Sequence, residues 1–354
     1  MSTPITFTFT TTLSLVIISV SLLSSSLGSV TATETQRNET EVRLMYEQWL
    51  VENGKNYIND LGEKERRFKI FSDNLKFIDE HNSVPNRSYE VGLTRFADLT
   101  KEKFRGMYLG SKIEMTRGSV VGERYLYNEG DDLPDHVDWR EKGAVGPWLG
   151  VLCDRSGGKY KPDHNRRTVI SVGARTHCCD RYFNYGCNGG FMNMAFKYIK
   201  EKGGIETDKY YPYTAMDRSR CKSNKNKNTR VGTIDGYEDV PRGDEMSLKK
   251  AVSHQPVSAA ISHQPVSAAI YADGAAFRHY KGGVFNVACG IGMTQAVIVV
   301  GYGSSQGKDY WIIRNSWGIN WGEGGYMKLQ RNVKDPLGKC GLTMMPSYPT
   351  KLAV

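Results

Sequence analysis

The chain carries seven cysteines and seven histidines, the side chains able to supply a nucleophile, a proton-transfer base or a metal site. A thiol that attacks a carbonyl must be ionised, must lie against an imidazole, and needs a third group to orient that ring and N–H donors for the oxyanion. Cys153 is the first thiol to weigh, but Asp154 beside it would raise its pKa, and the glycines and charges around it do not make a core helix. His254 and His263 are one residue written twice, in a nine-residue copy where 253–261 is repeated as 262–270. A duplicated strand pattern must be looped out or must displace its neighbour's register. His177, Cys178, Cys179 and Cys187 are spaced poorly for a tetrahedral metal site, so no metal and no cofactor is expected.

The elements that would position such groups begin after an uncharged leader. Residues 1–32 hold an apolar run from Leu13 to Leu23 and then small residues, which reads as a secretory signal peptide. The run is too short to span a bilayer, so no membrane anchor is expected. Sequons at Asn38 and Asn86 fit the same route as glycan sites, and a destination outside the cell, in a vacuole or in a lysosome follows. The odd cysteine count leaves at least one thiol without an intrachain partner. The net charge of +9 is scattered apart from the Lys/Asn run 222–230 and the pair Arg166 and Arg167, both read as solvated loop, so nucleic acid is not an expected partner.

Helix formers dominate residues 41–82, with apolar positions three and four apart, which predicts two amphipathic helices joined by a loop containing Gly54 and Gly62. Within the second, Glu63, Arg67, Phe71, Asn74, Ile78 and Asn82 follow at offsets of four, four, three, four and four, on one face, where they can pair with a neighbouring helix. That register, followed by Gly92, Phe96 and Asp98 with Thr94 where asparagine is usual, resembles the inhibitory pro-segment of papain-family cysteine endopeptidases. Leu133 to Arg140 resembles the mature start of the same family, and the resemblance is nearly continuous from Gly186 onward.

The resemblance implies an α+β, papain-like two-lobed fold. A helical left lobe and an antiparallel β-barrel right lobe would follow a helical pro-segment that lies through the cleft in reverse direction. The expected divisions are a signal peptide at 1–32, a pro-segment at 33–110, a polar processing linker at 111–132 and a peptidase domain at 133–354. It also implies disulfides Cys179 to Cys221 and Cys289 to Cys340, with the partner of Cys187 uncertain.

The catalytic positions depart from the family pattern. No Gly-Ser-Cys-Trp turn stands between Gly146 and Cys153. Codons permitted by residues 149–159 read, one base out of frame, as Trp-Ala-Phe-Ser-Ala-Ile-Gly-Ala-Val-Glu, which resembles the family's active-site helix. Residues 148–178 therefore read as frameshifted and are expected to be irregular, and because Trp148 has a single codon the shifted triplet at the nucleophile position is glycine. The histidine position, six residues after Cys289, is Gln295, in a region that is in frame. Asn315 survives as the orienting residue, with Trp317 and Trp321 in the adjoining loop, and Asn188, Gly189 and Gly190 match a loop that pairs with substrate backbone. The expected protein is a monomeric, inactive peptidase homologue with a peptide or protein as its cleft ligand. Two alternatives stand beside it: an active secretory or vacuolar endopeptidase obscured by a faulty gene model, and an inhibitor of related cysteine proteases in trans through the pro-segment.

Overall fold

A computed structural model describes residues 37–110, 122–143, 145, 190–204, 233–254, 266–290 and 292–350. Helix α1 (Glu39–Glu52) opens where the Asn38 side chain accepts from the Glu41 amide at 2.9 Å, with Glu39 and Glu41 placing negative charge on the first turn. Helix α2 (Leu61–Ser83) opens on Asp60, which accepts from the Glu63 amide at 2.8 Å, and stops one residue short of the position that Pro85 disfavours for helix. Gly62 thus lies inside the first turn of α2, while Gly54 sits in the connection with φ +61°, beyond easy reach of other residues. The facing apolar stripes close on Tyr46, Trp49, Phe68, Phe71 and Leu75.

After α2 the chain turns into strand β1 (Tyr89–Val91), then helix α3 (Lys101–Tyr108). The remaining elements are β2 (Val137–Asp138), α4 (Met192–Lys202), β3 (Gly236–Asp239), α5 (Glu245–Ser253), β4 (Val266–Ile270), the short α6 (Ala275–Arg278), β5 (Tyr280–Phe285), β6 (Gln295–Ser305), β7 (Lys308–Arg314), β8 (Tyr326–Gln330) and β9 (Ser347–Thr350). One sheet runs β1-β5-β8-β7-β6-β4-β9-β3, with β2 paired to β6. It is antiparallel except between β5 and β8, which corrects the purely antiparallel expectation, and its first strand belongs to the pro-segment. At Gly301 a side chain would run into the Val137 carbonyl, so a glycine lets β2 lie on β6.

Among the described residues the duplicated stretch supplies one strand. Its second copy supplies β4, all five residues of which are buried, in unbroken register with β6 from Val266 opposite Val299 to Ile270 opposite Gln295. Ser253 and His254 of the first copy end α5 and cap it, and 255–265 lie outside the described residues. Burial on both faces selects that register, because a slip by one residue would exchange every side chain across the sheet. The leader, the stretch 148–178, and with it the expectation of an irregular segment, also lie outside the described residues.

Part of the expected linker is docked. Tyr125 packs on Tyr348 and donates to the His254 carbonyl at 2.7 Å, and Lys250 pairs with Asp131 at 2.7 Å. The expected processing linker is therefore held against α5 and β9 from Gly122 on. Among the described residues no helix is long and apolar enough to cross a membrane.

The expected pro-segment and the expected peptidase domain share one core. Phe96, Leu99 and Phe104 join Phe277, Trp317, Trp321 and the sheet in a single cluster. Replacing the wholly buried Phe96 with alanine should lower the unfolding free energy by about 3–5 kcal/mol, read as an earlier urea midpoint with unchanged slope.

Candidate active site

Antiparallel pairing of β6 with β7 sets Ile298 opposite Arg314, which carries the first residue of β6 to the residue following β7. Gln295 and Asn315 consequently meet, both buried. The Gln295 Nε2 donates to Asn315 Oδ1 at 2.8 Å and lies 3.1 Å from Ser316 Oγ and 3.2 Å from the Ala296 carbonyl. Asn315 Oδ1 also accepts from the Ser316 amide at 2.8 Å. The amide thus makes the contact an imidazole N–H would make, with a group that cannot take up a proton near neutral pH.

Trp317, two residues beyond Asn315, stands within a box of edge-on rings: Trp321 at 5.0 Å, Phe104 at 5.2 Å, Phe96 at 5.4 Å and Phe277 at 5.6 Å. Two of those rings come from the pro-segment, so the expected cleft tryptophans are not open to a ligand. Trp321 lies deeper still, with its Nε1 donating to the Arg278 carbonyl at 3.2 Å. The Gly110 amide donates to the Thr294 carbonyl at 2.9 Å, which lays the chain after α3 beside Gln295. Among the described residues, Asn315 Nδ2 and Trp317 Nε1 are buried and meet no hydrogen-bond partner.

The α2 face holds its partners as sequence placed it, but the partners are loop backbone in place of a second helix. Arg67 binds Glu63 on its own helix and the Asp98 carbonyl at 3.0 Å. Asn74 donates to the Ala97 carbonyl at 2.7 Å, and Asn82 exchanges hydrogen bonds with the Val91 backbone in both directions. Phe71 is fully buried, and Ile78 reaches the shared core. Asp98, wholly buried, binds the Lys55 ammonium and accepts from the Tyr57 hydroxyl at 2.7 Å. Burial lowers the Lys55 pKa despite the carboxylate beside it.

Cys289 and Cys340 are joined in a disulfide, their Cα atoms 5.1 Å apart. Gly190 is buried at the approach to α4. Cys153, Cys179, Cys187, Cys221, Asn188 and Gly189 lie outside the described residues. Among the described residues no group of three or more His, Cys, Asp or Glu is placed to hold a metal.

Sequence reasoning passed over Arg278 and His279, which carry the pro-segment's polar docking. Arg278 donates to the Leu99 carbonyl at 3.1 Å and to Asn74 Oδ1 at 2.8 Å, while the His279 carbonyl accepts from the Gly92 amide at 2.8 Å. The two lie in a four-residue helix and the residue after it, too short for a periodic signal. Burial, then the Arg278 cation, pushes the His279 imidazole down to about 3.

The model of the papain family cysteine protease domain matches residues 156–350, and that of the cathepsin propeptide inhibitor domain matches residues 46–104. The first match starts inside the 148–178 stretch and leaves the expected nucleophile turn outside. The chain is 60% identical over 339 residues to the probable cysteine protease RDL2 of Arabidopsis thaliana, covering 93% of this chain and 91% of that one. It superposes with a TM-score of 0.74 on the proform of the ragweed pollen cysteine protease Amb a 11, at 32% identity over 90% of this chain and 97% of that one. It also matches the Ananas comosus bromelain protease in complex with the E64 inhibitor, with a TM-score of 0.51 and 34% identity over 62% of this chain and 100% of the other.

Two outcomes follow. Gln295→Leu should cost about 1–3 kcal/mol in denaturant melts, because it strips a donor from buried Asn315 Oδ1, whereas Gln295→His should leave peptide hydrolysis at background. A histidine that is free in the unfolded chain titrates near 6.5, so above that pH neither state binds the proton and His279 contributes no pH dependence. Between there and about 3 only the unfolded chain binds it, so stability should fall as pH drops, by up to about 1.4 kcal/mol per unit from this ring. The check is NMR titration of the His279 ring, which should show no inflection between pH 7 and 5, alongside urea midpoints over the same range.

Proposed function

Because the chain belongs to the papain family of cysteine proteases, we propose that it is a catalytically silent member, a zymogen-like homologue whose cleft binds peptide or protein without cutting it. The observation that carries this reading is the Gln295 amide bonded to Asn315 Oδ1 at the place of the proton-transfer base. A carboxamide neither accepts a proton from a thiol nor becomes the cation that would hold a thiolate, so the chemistry loses its first step even where a sulfur is near. Absence of the Gly-Ser-Cys-Trp turn removes the sulfur as well. Among the described residues both cysteines are consumed in one disulfide.

An active endopeptidase would need two separate repairs, a nucleophile between Pro147 and Leu149 and a histidine at 295. Reading the transcript across codons 140–180 addresses the first. A role as an inhibitor of related proteases is favoured by one specific feature, the complete set of contacts from α2, β1 and α3 to the domain. The leader-like start, the sequons at Asn38 and Asn86 and the disulfide support passage through the secretory pathway to an extracellular, vacuolar or lysosomal site.

The decisive assay treats the purified full-length protein with a thiol-directed epoxide such as E64 and reads intact mass. No adduct is expected. Labelling of a single cysteine that disappears in Cys153→Ala, together with peptide hydrolysis lost in the same variant, would overturn the silent reading.

A further inference from the structure

Thr94, Arg278 and His279 come from the two parties to the docking and are each buried almost completely. Their hydrogen bonds can run in only one sense. The guanidinium has donors and no acceptor, so Arg278 Nε, 3.2 Å from His279 Nε2, must give its proton to that nitrogen's lone pair. A neutral imidazole with Nε2 accepting carries its proton on Nδ1, which lies 3.3 Å from Thr94 Oγ1. The threonine oxygen therefore accepts from the ring, and its own proton goes to the Arg278 carbonyl at 3.2 Å. The Phe96 amide fills the second acceptor position of the same oxygen at 3.5 Å. One hydroxyl thus spends its donor and both acceptor positions, and the chain of bonds closes on the residue where it began.

We propose that this closed ring is a recognition element by which the peptidase domain accepts its own pro-segment, and that the partner it fits is a pro-segment bearing a β-hydroxyl at position 94. The idea does not depend on whether the chain cleaves peptides. It follows from what the ring rejects. A side chain without an acceptor leaves the Nδ1–H of His279 without the partner that Thr94 brings to it, a cost that falls on docking because the acceptor comes from the pro-segment. A hydroxyl is also the one small group that can take a proton from the ring and return one to the adjacent carbonyl within a single atom. The surrounding contacts hold Thr94 from both sides: Trp49 Nε1 donates to the Thr94 carbonyl at 3.0 Å, and the Gly92 amide donates to the His279 carbonyl at 2.8 Å.

The test is hydrogen exchange on the full-length protein, comparing amides of β1 and the following loop with those of β6 and β7 as internal controls. Thr94→Val, equal in shape, should speed exchange at Gly92 by roughly 10- to 100-fold and leave β6 and β7 unchanged. Thr94→Ser, which keeps the hydroxyl, should stay within about threefold of the parent. In a His279→Leu background, Thr94→Val should add clearly less than it does in the parent, since one of the bonds it breaks is already gone. Additive effects of the two changes would overturn the proposal, as would equal damage from serine and valine or no response to valine. Loss of protection throughout β6 and β7 in Thr94→Val would also overturn it, by showing a general folding role in place of recognition.

Discussion

The packing of Trp317 against Phe96, Phe104, Phe277 and Trp321 governs how the rest of the molecule is arranged, because it places rings from the pro-segment and from the peptidase domain in one desolvated cluster. An indole of that size has to be covered, and here the cover comes from a segment that in sequence lies some two hundred residues away. Once the rings close, the backbone on either side is drawn into place. β1 extends the sheet through β5, and the chain after α3 reaches Thr294 at the lip of the Gln295–Asn315 pair. A side chain at Gly283, where φ is +84°, would run into the Ser88 carbonyl, so this strand addition also requires a glycine.

Polar groups inside that interface are satisfied by backbone carbonyls to an unusual degree. Asn74, Asn82, Arg67 and Arg278 each spend side-chain donors on the loop from Val91 to Leu99. Such a loop cannot satisfy its own carbonyls as a helix or sheet would, and once buried it needs those donors. The polar positions of the α2 pattern therefore have a plain physical content: Arg67, Asn74 and Asn82 are donors for a buried loop. Asp98, Lys55 and Tyr57 extend the same logic to a charge pair, in which each group removed from water finds a partner.

The corner where β6 begins and β7 ends is closed by two side-chain amides. Gln295 is buried there and donates to Asn315 Oδ1, so the two side chains hold each other in place. Among the described residues, Asn315 Nδ2 and Trp317 Nε1 there meet no acceptor.

Sequence alone determined the parts that rest on local pattern and on register along one element. The α2 face from Glu63 to Asn82 was readable from residue type and spacing, and the pairing of Cys289 with Cys340 followed from the resemblance. Tertiary structure decided what those residues touch. That the α2 donors serve a loop and not a helix, that the second copy of the repeat becomes β4, that Trp317 and Trp321 lie under the pro-segment, and that Thr94 meets Arg278 and His279 could not be read in advance. Periodicity reports which face of an element is buried, but partners far apart in the chain are chosen by the way whole faces close on one another, and that choice leaves no trace in the spacing of either partner.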